Sequence, residues 1–169
     1  MSGRDLAEIA KEWGCSQHEA AERLDPAGAV YFHMHEDDVR RILAHPLVMI
    51  GSDGLPHDKH PHPRLWGTFP RVLGHYAREV GLFPIEEAVR KMTALPAQRF
   101  KLKERGRIAV GAYADLVLFD PATVIDAATF EQPIAPARGI DLLLVNGAVA
   151  YAANGARETK RAGRFLKRA

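Results

Sequence analysis

The chain has 169 residues, 47% of them apolar, and a formal charge of +2. That composition supports a folded core, and the near-balanced charge argues against a dedicated nucleic-acid binder. One cysteine, Cys15, excludes a disulfide framework, no apolar run approaches a membrane span, and the start Met1-Ser2-Gly3-Arg4-Asp5 lacks a signal-peptide core, so the expectation is a soluble cytoplasmic chain.

Leu6, Ile9, Ala10 and Trp13 recur at helical spacing in the first segment. Ser16 followed by Glu19 three residues later is a capping box that opens a second helix running to Leu24. Cys15, between the two, reads as a structural thiol. Asp25-Pro26-Ala27-Gly28 breaks the pattern, and Ala29-Val30-Tyr31-Phe32 predicts a short strand. Glu36 to Ala44 predicts a helix with acids in its first turn, which suits the positive end of the dipole. Leu47-Val48-Met49-Ile50 then predicts a second strand, giving a βαβ unit with a parallel pair.

That second strand runs into Gly51-Ser52-Asp53-Gly54, with a lone carboxylate at its tip. In parallel α/β enzymes the carboxyl end of a strand is where chemistry is placed, so Asp53 is a candidate catalytic group. Asp-Gly is equally readable as a plain turn. A loop from Gly54 to Thr68 holds His57, Asp58, His60, His62 and Arg64 among several prolines, and a loop of that length is usually functional or disordered. Helices are predicted over 69–80 and 85–93, the latter after Pro84, with a short one over 93–100. Beyond Lys103 the glycines become frequent. Strands are predicted over 114–120 and 140–146, and Asn146-Gly147 signals a hairpin. The basic run from Arg157 to Arg168 reads as a solvated end.

The stretch from Ile50 to Asp58, then His60-Pro61-His62-Pro63-Arg64-Leu65-Trp66-Gly67-Thr68-Phe69-Pro70-Arg71, resembles the D-aminoacylases (N-acyl-D-amino-acid deacylases) of the amidohydrolase superfamily. The likeness continues through 87–93, Leu95-Pro96-Ala97, Arg105-Gly106-Arg107-Ile108, the run 114–121 and Val145-Asn146-Gly147. The last two recur widely among amidohydrolases and are less specific. The resemblance implies an α/β fold: the last βα units of a (β/α)8 barrel over 1–103 and a small β-sandwich portion over 104–169. It implies zinc-dependent hydrolysis of the amide of N-acyl-D-amino acids, with Asp53 shuttling the proton. Arg64 is then the residue that grips the substrate carboxylate, which its planar fork suits. Ser52, Gly54 and His57 are implied as substrate contacts. Packing on Trp66 or capping a carbonyl is the structural alternative for Arg64.

A complete (β/α)8 barrel takes about 250 residues, so this sequence is expected to supply only its last part. The zinc ligands of the resembled family lie upstream of anything matched here, and no metal ligand is assigned within the chain. Phe32-His33-Met34-His35 is a His-x-His after an apolar run, and zinc accepts such nitrogens. Its place before the Asp53 segment makes it a decoy in the resembled pattern. An ordinary carboxylate taking a proton from free water faces about 16 kcal/mol, against about 4 kcal/mol for zinc-held water. Little or no activity is therefore expected of the chain alone, together with self-association or a complementing amino-terminal chain that covers its open strand edges. No nucleic-acid or membrane partner is expected. Two other readings remain open. One is a non-catalytic remnant or barrel-completing subunit, and the other is a small metal module using His33, His35, His57, His60 and His62.

Overall fold

Local capping starts the chain. In the computed structural model, which describes residues 3–56, 59–156 and 161–166, helix α1 (Leu6–Trp13) begins where the Asp5 carboxylate accepts the Ala7 N–H at 2.7 Å. It ends at Gly14, whose left-handed φ of 62° closes the last turn. Helix α2 (Gln17–Leu24) carries the expected capping box: Ser16 Oγ accepts the Glu19 N–H and the Glu19 carboxylate accepts the Ser16 N–H at 2.8 Å. These bonds from Ser16 hold the Glu19 carboxyl below its ordinary range.

Helix α3 (Glu36–Ala44) spans the predicted residues. The strands predicted on either side of it do not form. Residues 28–35 and 48–55 are irregular and join no ladder, so the parallel pair is absent among the described residues. A strand is defined by a neighbour, and these runs find none. The Ile50 N–H bonds instead to the carbonyl of Lys91 at 3.2 Å.

The loop after Asp53 is shorter than predicted, because helix α4 (Arg64–Arg71) starts at Arg64 itself. Pro63 is its cap residue, and His62 Nδ1 accepts the Arg64 N–H at 3.0 Å. Pro70 lies inside this helix. It has no N–H to give to the preceding turn, and directly beyond it the ladder widens into a π-helix, Val72–Glu79. Helices α5 (Ile85–Met92) and α6 (Ala94–Arg99) follow.

The π-helix supplies most of the core. Val72, Leu73, Tyr76 and Ala77 are buried with Phe83, Ala88 and Val124, and Val39, Leu43, Ile50, Phe119 and Ile140 pack around them. Val124 comes from the carboxyl third, so that third is keyed into the helical part. Gly74 makes this possible, since a Cβ there would overlap the Val124 carbonyl oxygen and lie 2.5 Å from Ile125 Cδ1. Arg78 on the same π-helix donates to the Val124 carbonyl at 2.7 Å and the Pro121 carbonyl at 3.1 Å.

Three antiparallel strands close the chain in the order β1 (Leu116–Phe119), β2 (Ile140–Val145), β3 (Ala148–Ala152). Leu116 faces Leu144 across the first pair and Leu142 faces Ala152 across the second. Asn146 and Gly147 turn the hairpin with φ of 50° and 84°, the doubly left-handed turn that Asn-Gly favours. Arg105 pairs with Asp115 and donates to Asn146 Oδ1 at 2.7 Å, while Asp115 accepts the Asn146 N–H at 2.8 Å. The three motif pieces around 105, 115 and 146 thus converge on one polar network that fixes the hairpin.

Candidate active site

The turn at 52–54 is built from short-range bonds. Ser52 Oγ accepts the Gly54 N–H at 3.4 Å, and Asp53 takes a φ of 48°, a left-handed conformation that aspartate tolerates better than most residues. The Asp53 side chain is 78% exposed, so it projects rather than packs. Gly54 is needed for close approach. A Cβ on it would lie 2.8 Å from Leu65 Cδ1 and 2.9 Å from Leu65 Cα, so glycine lets the first turn of α4 come down onto the tip.

That approach brings Arg64 Nη2 to 2.8 Å from Asp53 Oδ2. The two residues assigned separate roles by the resemblance therefore stand as an ion pair, and this is where the guanidinium goes, in place of stacking on Trp66 or capping a carbonyl. Arg64 Nε is buried and has no partner among the described residues. That N–H is left unsatisfied beside the Asp53 pair. Ser52 and Gly54 line the same turn. His57 lies outside the described residues, as do the basic positions 157, 160, 167 and 168 of the tail.

Two other histidines of the loop meet a partner far away in sequence. His60 Nε2 lies 2.7 Å from the Phe130 carbonyl oxygen, and the His62 ring packs edge-on against the Phe130 ring with centroids 5.1 Å apart. Phe32 packs on the same ring at 4.7 Å. Arg71 reaches Asp126 at 3.3 Å, so the stretch 126–130 lies over α4 and the site loop. Phe130 and Asp126 gave no signal in the sequence, because nothing local marks contacts across 70 and 55 residues.

Burial depresses the His62 pKa, the Arg64 charge depresses it further, and Asp53 opposes both. The His62 Nδ1 accepts the Arg64 backbone N–H, a bond that favours the neutral ring. Because the unfolded chain binds this proton more tightly than the folded one, protonation favours unfolding as pH falls below about 6.5. In an NMR titration, the His62 midpoint is expected below that of a free histidine. Arg64→Gln raises it and Asp53→Asn lowers it further; a midpoint that ignores both substitutions contradicts this electrostatic arrangement.

Among the described residues, no three or more His, Cys, Asp or Glu side chains are grouped to hold a metal ion. His35 Nδ1 accepts the Asp37 N–H at 3.3 Å and caps α3. His60 is occupied by Phe130. The described residues thus do not fit a metal centre by themselves. A cavity of about 370 Å³ is lined by Lys103, Arg105, Tyr113 and Phe165, none of which belongs to the Asp53 turn.

A model of the amidohydrolase family matches residues 4–151. The chain belongs to that family. This amidohydrolase chain is 60% identical over 168 residues to the D-aminoacylase of Alcaligenes xylosoxydans xylosoxydans, a match covering 99% of the chain and 34% of that enzyme. A solved D-aminoacylase structure, described by the functional role of its binuclear metal centre, is 59% identical with a TM-score of 0.92, over 98% of this chain and 35% of that one. The crystal structure of N-acyl-D-glutamate deacylase from Bordetella bronchiseptica holds zinc and a phosphonate mimic of the tetrahedral intermediate. It is 54% identical with a TM-score of 0.90, over 97% of this chain and 34% of that one. The amidohydrolase chain thus spans about a third of the length of the relatives it matches.

Proposed function

We propose that this chain carries the proton-transfer and carboxylate-binding part of a metal-dependent deacylase, one that hydrolyses N-acyl-D-amino acids to a carboxylate and a D-amino acid. The observation that carries the reading is the Asp53–Arg64 pair at 2.8 Å. It sets an exposed carboxylate beside a guanidinium with one unused buried N–H. In this reading Arg64 takes the substrate α-carboxylate, Ser52, Gly54 and His57 line the substrate, and Asp53 moves the proton between attacking water and leaving amine.

The finer architecture belongs to the same proposal: residues 1–103 as the last βα units of a (β/α)8 barrel and 104–169 as part of a β-sandwich. The zinc ligands come, in this reading, from the two thirds of the relatives that lie outside the match. An ordinary carboxylate acting on free water faces about 16 kcal/mol, so in this reading the isolated chain has little or no turnover. A second reading, a subunit that completes a barrel without chemistry of its own, is favoured by exposed Tyr31, Phe32 and Leu47 on the two unpaired runs. The same exposure supports self-association or a complementing chain.

A chimaera in which this chain replaces the matching third of the Alcaligenes D-aminoacylase separates the readings. With zinc it is expected to hydrolyse N-acetyl-D-methionine and spare the L-enantiomer, while the chain alone does neither. A folded, zinc-containing chimaera without turnover removes the enzyme reading. An enzyme-like rate from the chain alone removes its dependence on a complement.

A further inference from the structure

Lys91 is the one charged side chain fully buried among the described residues, at 0% exposure. Its Nζ donates to the His45 carbonyl at 2.5 Å and the Val48 carbonyl at 3.2 Å. Its own carbonyl accepts the Ile50 N–H at 3.2 Å. Next to it, Arg90 donates to the Pro46 carbonyl at 2.8 Å while Glu87 steers its guanidinium from 2.6 Å. The carboxyl end of α5 therefore grips 45–50 by four bonds. Three residues beyond Ile50 stands Asp53.

We infer that Lys91 is a positioning residue, whose buried ammonium pins the 45–48 turn and thereby aims the run that carries Asp53 at Arg64. A buried charge is a poor way to gain stability alone, since an apolar side chain of similar volume often does as well or better. Two N–H donors aimed at fixed carbonyls do what an apolar group cannot: they set the direction of the chain leaving the turn. Burial also pushes the Lys91 pKa down, with Glu87, 3.9 Å away, opposing it. The run from Val48 to Asp53 has no ladder to hold it, so its anchor at α5 decides where its tip lies. The inference rests on the reading of Asp53 given above, but its main test needs no turnover.

The test compares amide exchange and arginine side-chain NMR in the full chain and in Lys91→Met. The Ile50 amide is expected to exchange about tenfold faster or more, and the Arg64 guanidinium signals to lose the pattern of a paired group. Amides of Tyr76 and Ala77 in the core keep their protection. In a Cys15→Ser background, Lys91→Cys aminoethylated in the unfolded chain and then refolded, which gives a lysine analogue, restores both signals. Lys91→Leu, which also removes the donors, gives the same comparison if Lys91→Met does not fold. Unchanged Ile50 exchange, or equal loss at Ile50 and Tyr76, or no rescue by aminoethylation, overturns the inference. In the chimaera, Lys91→Met lowers kcat by up to about 100-fold with KM nearly unchanged, because a misplacement of about 1 Å is that costly. A rise in KM alone overturns the positioning role. A chimaera inactive from the start fails the enzyme reading and leaves the exchange result to decide.

Discussion

Asp53→Asn in the chimaera is expected to lower kcat by about 10²- to 10⁴-fold, the range that a positioned proton-transfer group supplies. Asparagine keeps the size of the side chain and can still accept from Arg64, but it cannot take up and return a proton. The turn survives the change, since asparagine tolerates the left-handed φ of 48° as well as aspartate does. KM is the discriminating quantity. If Asp53 serves only to hold Arg64, the loss appears in KM with kcat preserved. If Asp53 moves the proton, kcat falls and KM stays. Arg64→Gln gives the opposite split, with binding of the carboxylate substrate weakened most. Steady-state kinetics on the zinc-loaded chimaera and the two variants decide between them.

Gly74→Ala is expected to destabilise the chain by about 2 kcal/mol, even though alanine ordinarily favours a helix over glycine by about 1 kcal/mol. The added methyl meets the Val124 backbone and Ile125, and backbone cannot step aside as the end of a flexible side chain can. For a chain of this length the thermal midpoint should drop by about 4–8 °C. Arg78 helps to localise the cause, because it holds the Val124 carbonyl from the same π-helix. Gly155→Ala, at a position where a Cβ would meet nothing within 4 Å, is the comparison for space; its positive φ gives strain without a clash. A thermal scan in which Gly74→Ala is neutral or stabilising contradicts the packing described between Gly74 and Val124.

What could be read from the sequence was what local chemistry decides. Ser16 with Glu19 starts α2, the acids at 36–38 start α3, and Asn146-Gly147 turns the hairpin, each with its partner within a few residues. The runs 29–32 and 47–50 look like strands by composition, yet a ladder depends on what stands beside it, and nothing in the run records that. The helix predicted over 69–80 begins earlier, at Arg64. Proline usually marks the first turn of a helix, and here the helix absorbs Pro70 by widening into a π-helix. At the site, Asp53 and Arg64 were legible as residues through the resemblance, but their pairing was not, since it needs the close approach that Gly54 permits. Lys91 was hidden in plain view. At i+4 from Glu87 it has the spacing of a surface ion pair, and only the packed structure reveals that its ammonium faces carbonyls at 45 and 48.

The seat of the 120–130 segment matters to anyone who recombines this chain with its relatives. A crossover at 103/104 follows the change in composition, yet it would part Val124 from Gly74 and Phe130 from His60, His62 and Phe32. Donor and recipient would each bring one half of a fitted joint. Breakpoints that keep 30–34, 60–78 and 120–130 from a single parent avoid mismatched seams, and the hairpin at 140–152 can then be exchanged with Arg105 and Asp115 carried along as its fastening.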